Sequence, residues 1–501
     1  MTWPIILSGK SSPHRRGVKL LLFFCFFLTV ELVPSTSLGD ETLFQSMHLA
    51  RNNSLVLQEQ ESRIRSAEED VSIARSALLP DVYLDASVGA FSREDGVLSD
   101  VNTQVETDAY TNFRLTLSHT LWDGSARQRD ISGKLARIDA EENRLLYLEQ
   151  QVLMNVIKAH FNLRHATSLL SLIDRSLAFA EKHVALEVKR FGLGEATQTD
   201  LSLAKAYLAL LESKHNSART RLSNSQARYE KFVGSQPYEN FGKLTLDTRF
   251  PESMKEAIQI AQKEHPLLKA SAKDIVEAEH LVEHERAAGL PKVFLDGSVS
   301  YGARPEDRYE NLSTIGLRVR VPLFNSGVIN SRIAKRQEDE YRRRLKFDRY
   351  AEEVFESVRI VFEALKSARA EVQISEWAAK QASHALHSSE AERDHDLNST
   401  PDLFDAHLKM VEAEMNALAA KRNLAIHRYA LLFAVGRLVV PVETNKGELD
   451  TGRIDFPYVA AEQHAGATQK RADHWHGLRR MDGGDLKGLS AGMELRKRTQ
   501  R

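Results

Sequence analysis

The stretch VIKAHFNLRHATSLLSLIDRSLAFAEKHV, residues 156–184, decides the fold. Val156, Leu163, Leu170, Leu177 and Val184 stand seven residues apart, and Ala159, Ala166, Ile173 and Ala180 follow three residues after the first four. That is the a/d seam of a coiled coil, with small d residues that let a partner helix come close. Neither Pro nor Gly interrupts Lys134 to Phe191. A helix of about 60 residues is ~90 Å long at ~1.5 Å per residue. The seam returns at a constant offset of 202 residues, as Val358, Leu365, Val372, Ala379 and Leu386 with Val361, Ala368, Ser375 and Ala382. Val328 to Thr400 is again free of Pro and Gly. An ordinary globular core has no need of two such helices, so the pair predicts a long helical scaffold.

The segments around the seams repeat as well. Asp40 to Asn52 and Leu55 to Leu79 carry helical periodicity, and Pro80 stops the second. The period then switches to two. Val82, Leu84, Ala86, Val88 and Ala90 alternate with Asp81, Tyr83, Asp85, Ser87 and Gly89. After a polar loop, Ser92 to Ala109, residues Phe113, Leu115, Leu117 and Leu121 alternate with Asn112, Arg114, Thr116, Ser118 and Thr120. Asp123-Gly124 leads into the first long helix, Gly192-Leu193-Gly194 turns it, and Thr199 to Val233 is helical again. The second round reads Met254 to Gln262, Pro266 to Gly289, then strands near 292–301 and 314–323 around a polar loop, Gly302 to Ser313. Thr400-Pro401-Asp402-Leu403 answers Gln198-Thr199-Asp200-Leu201, and Leu323-Phe324-Asn325-Ser326-Gly327 answers Leu121-Trp122-Asp123-Gly124-Ser125. Such an internal repeat marks one fused, pseudo-symmetric body. Its two copies run from 40 to 234 and from 252 to 438, with strands near 81–91 and 111–122 in the first.

Composition narrows the class. The formal net charge of -1 gives no support to nucleic-acid binding, and the only cysteine is Cys25. Arg15, Arg16 and Lys19 precede the apolar run Leu20 to Val30, and Ser37 and Gly39 frame a candidate cut before Asp40. This reads as an export signal over residues 1–39, against the alternative of a buried N-terminal helix. Phe24 before Cys25 argues against a lipoprotein-type acylation site. From Pro441 periodicity is lost, and residues 439–501 read as a disordered tail.

Two-residue alternation with apolar residues on one face and Asp, Arg, Ser and Thr on the other fits a lipid-facing outside and a water-facing inside. It fits a soluble antiparallel sheet as well. The export signal and the long helices favour the barrel. Four strands cannot close a barrel, and an open edge in lipid leaves backbone groups unpaired. The chain must therefore pool strands with other copies.

Over about Asp40 to Leu438 the chain resembles the TolC-type outer-membrane efflux and secretion channels. The duplicated order, the two strand-to-helix junctions, Arg190 to Asp200, and Asp402-Leu403-Phe404-Asp405-Ala406 carry the resemblance. It implies an α+β membrane protein: a homotrimer with a twelve-stranded β-barrel on a long α-helical coiled-coil tunnel crossing the periplasm. It also implies docking to a periplasmic adaptor and to an inner-membrane ABC or RND transporter. Asp402 and Asp405 match acidic residues that ring the tunnel entrance in the family; helix-start solvation is the bland alternative. Asp200 matches a partner in the links that close the family's gate. Arg393 stands where the family carries another residue, and the expectation is that it pairs with Asp200. Gly192 and Gly194 lie in a tip that adaptors contact, and Asp396 replaces the second glycine in repeat two. Arg114, Arg318 and Arg320 are candidate barrel-lumen residues. No cofactor or metal is implied, and no His-Glu-x-x-His, phosphate loop or Gly-x-Ser-x-Gly supports an enzyme. His474-Trp475-His476 offers only a metal-like pattern in the tail. A secreted coiled-coil scaffold or adhesin without a pore is the alternative; the duplicated strands argue against it and against a periplasmic adaptor. Within the family the absence of a lipid-anchor cysteine leans towards the exit duct of a type I secretion system, with multidrug efflux the open alternative.

Overall fold

The computed structural model describes residues 43–95, 104–237, 250–304, 308–394, 398–440, 442–443 and 449–450. The signal segment, residues 451–501 of the tail with His474 and His476, and Asp396 lie outside the described residues. Two compact units divide at Pro441. In the second, Val442–Glu443 pairs antiparallel with Leu449–Asp450.

The first unit contains everything else. Its order is α1 (Leu43–Asn53), α2 (Leu55–Ser76), β1 (Asp81–Asp95), β2 (Gln104–Trp122), α3 (Ala126–Gly192), α4 (Gln198–Val233), α5 (Met254–Glu264), α6 (Pro266–Ala287), β3 (Lys292–Arg304), β4 (Arg308–Arg320), α7 (Val328–Asp394) and α8 (Thr400–Ala434). Both α3 and α7 are 67 residues long, ~100 Å at ~1.5 Å per residue. The repeat extends to backbone geometry. Gly124 and Ser125 take left-handed φ values at the first strand-to-helix junction, and Ser326 and Gly327 do so at the second. Arg127 braces the first junction: its guanidinium donates to Asp123 Oδ2 (2.8 Å), the Ala77 carbonyl (2.8 Å) and the Thr120 carbonyl (2.7 Å).

The core sits halfway along the long helices. Leu43 and Met47 of α1, Leu153, Val156 and Ile157 of α3, Tyr229 and Val233 of α4, and Tyr429 and Leu432 of α8 bury together. Ser46 and Tyr229 share a hydrogen bond of 2.9 Å there. The second repeat builds a matching cluster from Ala257 and Ala261 of α5, Leu268 of α6, Val354, Val358 and Leu365 of α7, and Leu431 of α8. Gly436 closes α8 with φ +80, where a Cβ would meet His265 Cα at 2.7 Å. The left-handed turn and the close approach both require glycine there.

The two seams are buried unequally. In α3 the heptad residues Val156, Leu163, Ala166, Ile173 and Ala180 are buried, Glu187 continues their line, and Leu169, Leu172 and Ser176 beside them are buried too. The helix is thus covered on two sides, by α4 and by α8. In α7 only Val358, Leu365 and Ala368 of the seam are fully buried, and Ile374 and Trp377 are exposed.

The strands outrun their expected limits. The expected loops Ser92–Ala109 and Gly302–Ser313 are mostly strand, with β1 reaching Asp95, β2 starting at Gln104, β3 reaching Arg304 and β4 starting at Arg308. Where both faces of a hairpin meet water, apolar alternation stops although pairing continues, so periodicity alone ends a strand too early. At the other end β4 stops at Arg320, short of the expected 323. Pro322 has no N–H to extend the ladder.

Candidate functional site

The four strands form one antiparallel sheet in the order β1-β2-β3-β4. Its register brings like faces together. Val82 lies opposite Leu117 and Leu84 opposite Leu115. Leu115 in turn lies opposite Val299, and Leu295 opposite Leu317. On the other face Asp85 lies opposite Arg114, Ser118 opposite Asp296, and Lys292 opposite Arg320. Arg318 donates to Asp296 at 2.7 Å and lies 4.6 Å from the centre of the Phe294 ring. Arg114, Arg318 and Arg320 therefore share the polar face with Asp81, Asp85 and Asp296. Among the described residues no helix packs across either face. Val88, Ile315, Leu317 and Val319 are exposed although they are apolar and in mid-strand. Among the described residues no helix is long and apolar enough to cross a membrane.

At the far end of the helices stand two tips. In the first, the Glu195 N–H returns to the Arg190 carbonyl at 2.9 Å, closing α3, and Gly194 takes φ +76. A Cβ at Gly192 or Gly194 would meet nothing within 4 Å, and Leu193 between them is exposed. Thr197 and Asp200 form a reciprocal capping box for α4: the Asp200 N–H donates to Thr197 Oγ1 (3.2 Å), and the Thr197 N–H to Asp200 Oδ2 (3.0 Å). The Thr197 hydroxyl and amide hold the Asp200 carboxyl below the usual carboxylate range, with smaller help from Arg393 and Arg190. The second tip repeats the cap with Ser399, whose hydroxyl donates to Asp402. Asp405, one turn on, pairs with Lys409 at 2.7 Å.

Arg393 does not pair with Asp200 within the chain. Its guanidinium is held by Glu187 of α3 and reaches the Asn398 carbonyl at 3.5 Å. Thr400 Oγ1 donates to the same Glu187 oxygen at 2.8 Å. Asp200 is already committed to its cap, and the buried Glu187 carboxylate has the greater need of a counter-charge. Just inside this strap, rings from three helices stack. Phe179 of α3 lies on His407 of α8 at 3.9 Å, Tyr207 of α4 lies on Phe404 at 4.6 Å, and Tyr207 Oη hydrogen-bonds His407 Nδ1.

The sequence profile of outer membrane efflux proteins matches residues 47–235 and 257–437, one match to each repeat. The chain belongs to the outer membrane efflux protein family. Outer membrane efflux protein BepC of Brucella suis is 25% identical over 93% of this chain and 98% of its own length. The proteases secretion protein PrtF of Dickeya chrysanthemi is 24% identical over 76% of this chain and 87% of its own. The outer membrane protein VceC of Vibrio cholerae superposes with a TM-score of 0.68 at 17% identity, covering 79% of this chain and 96% of that one. The efflux protein therefore lies in the outer membrane, and its sheet, bare on both faces, is the part in lipid.

Sequence reasoning placed the two matching helix starts at Asp200 and Asp402 of this efflux protein and the polar face of its sheet, but not the capping residues Thr197 and Ser399. It missed Glu187, Phe179, Tyr207 and His407. The signal for Phe179 was a second apolar stripe on α3, one position out of phase with the heptad, with Leu169, Leu172 and Ser176; Glu187 continues the heptad itself, seven residues after Ala180.

Proposed function

We propose that copies of this chain assemble as a homotrimer that forms the gated exit duct of an export machine. One observation carries the reading: a four-stranded sheet with an apolar and a polar face, covered on neither side, standing on helices ~100 Å long. Its edges, β1 and β4, have no partner strand within the sheet. Three copies pool twelve strands into a closed barrel, which leaves no edge in lipid. Arg114, Arg318 and Arg320 then line its lumen. The channel body is residues 40–438, in repeats 40–234 and 252–438, behind a signal peptide of residues 1–39. The relatives' names point to both efflux and secretion, and a passive duct takes its cargo from the ABC or RND transporter behind it.

The tips are the gate and the docking point. Leu193 between two unobstructed glycines offers a small, open knob for a periplasmic adaptor. Asp200, Asp402 and Asp405 gather at the entrance, with Arg393 strapping one tip to the other through Glu187. Lys409 offsets Asp405, so Asp402 contributes more to an acidic ring. Asp402→Asn, which preserves the size of the capping side chain, should lower cation selectivity in planar bilayers, read as a shift of reversal potential in a salt gradient. Asp405→Asn should shift it less. Equal shifts, or none, would remove the acidic entrance from the account.

A further inference from the structure

The helical wall carries a cavity that neither the tips nor the sheet uses. It lies on the sheet side of the mid-helix core, where α2 packs on α3, α3 on α6 and α6 on α7. Its volume is about 220 Å³, and all four helices line it, from Arg63 of α2 to Tyr350 of α7. A row of four helices shares one cavity only on its concave side. Helical phase agrees. Leu148 lines the cavity, and Ile157, nine residues and so two and a half turns away, points into the α1 core on the opposite face of α3. On the channel reading the concave side is the lumen.

One cation in this cavity lacks a counter-charge. The α7 stretch RRRLKFDR, residues 342–349, carries five cations. Its four arginines are each paired: Arg342 with Asp339 (2.7 Å), Arg343 with Glu277 (2.5 Å), Arg344 with Glu340 (2.8 Å) and Arg349 with Glu353 (2.6 Å). Among the described residues no carboxylate pairs with Lys346, whose ammonium stands 5.4 Å from the centre of the Tyr350 ring. The carboxylates nearby are engaged elsewhere. Arg144 holds Asp274 (2.5 Å) and Glu141 (2.6 Å), and Arg63 holds Glu59 (2.6 Å). The cavity also contains an unused donor. A helical serine or threonine can bond the carbonyl one turn back, as Ser132, Thr167 and Ser176 do at 3.0–3.1 Å. Ser271 lines the cavity and is 2% exposed, yet its hydroxyl has no hydrogen-bond partner. Tyr147, Leu148 and Leu267 add apolar wall.

We propose that this cavity is a binding site for a small aromatic carboxylate. Lys346 takes the carboxylate, Ser271 donates to it, and the ring lies among Tyr147, Tyr350 and Leu267. At ~30 Å³ per water the cavity has the volume of about seven waters, room for a single-ring acid and not for a folded chain. A compact inorganic anion would meet one uncommitted cation and leave the apolar walls unused. Three copies would set three such sites around the lumen, where passing cargo of this class meets the wall before it reaches the barrel. That consequence rests on the channel reading; the site itself does not.

Calorimetric titration of the purified full-length assembly with benzoate tests the site. Wild type should bind benzoate saturably, one per chain. Lys346→Gln should weaken binding roughly tenfold or more, as loss of a hydrogen bond to a charged group does, and Lys346→Arg should recover most of it. Ser271→Ala should weaken it severalfold. Arg349→Gln, which removes a paired cation outside the cavity, should change it less than about twofold. Benzyl alcohol, with the ring but no charge, and phosphate, with charge but no ring, should compete poorly. Absence of saturable binding, equal affinity in Lys346→Gln, an equal loss in Arg349→Gln, or competition by benzyl alcohol or phosphate as strong as by benzoate would overturn the proposal. An assembly that binds benzoate in this pattern but carries no current in bilayers would uphold the site and refute the channel reading.

Discussion

Arg393→Ala should raise the closed-state conductance and loosen the tip by about 3–5 kcal/mol, the usual cost of removing one partner of a buried ion pair. The magnitude follows from what is left behind. The Glu187 side chain is only 4% exposed and that of Arg393 14%. One carboxylate oxygen of Glu187 accepts from both Arg393 and Thr400, and the other has no hydrogen-bond partner. Without the guanidinium a carboxylate remains in the interior with a single neutral donor. Water drawn in to solvate it parts α3 from the α7/α8 tip. Glu187→Gln in the Arg393→Ala background removes the stranded charge, so the double variant should recover much of the loss. Amide hydrogen exchange across the last turn of α3 and the first turn of α8 reads the loosening, and bilayer recordings read the leak. Protection and conductance unchanged in Arg393→Ala would show that the strap holds nothing.

Acid should destabilise the folded chain by a comparable amount for each of three buried histidines. Burial holds the imidazoles of His160, His265 and His407 down to about 4, from an ordinary 6.5, with Arg164 adding to the effect at His160 and His183 at His407. The native imidazoles stay neutral while the unfolded chain takes up protons near 6.5, so unfolding absorbs protons. Stability from these groups is complete above about 6.5, falls as the pH drops, and is fully lost below about 4. At ~1.36 kcal/mol per pH unit each imidazole contributes roughly 3 kcal/mol. The melting temperature should therefore fall between those limits. His407→Phe, which keeps a ring on Phe179 but cannot be protonated, should show a shallower fall. A melting temperature that is flat over this range, or a His407→Phe slope equal to wild type, would contradict the assignment.

The repeat was legible because it is written in residues with one physical role each. Gly124 and Gly327 mark the junctions, the heptads mark the helices, and Pro80 and Pro291 mark the approach to the strands. The sheet's two faces were legible for as long as one face met lipid and the other water. Beyond that the alternation ends, and the strand limits at Asp95, Gln104, Arg304 and Arg308 went unseen. Partners across the fold were the least legible. Arg393, a charge where repeat one has the seam residue Phe191, suggests a pair with Asp200, but a carboxylate that already caps its own helix is a poor competitor for a guanidinium beside the buried Glu187. No spacing in the sequence joins Glu187 to Arg393, which are 206 residues apart.

The central claim is that the bare, two-faced sheets of several copies close into a pore through the outer membrane. Single-channel recording of the purified, folded full-length assembly in planar bilayers tests it most directly. The account predicts discrete conductance steps of low amplitude, enlarged in the Arg393→Ala variant. A folded, membrane-inserted assembly that carries no current in either form would contradict it.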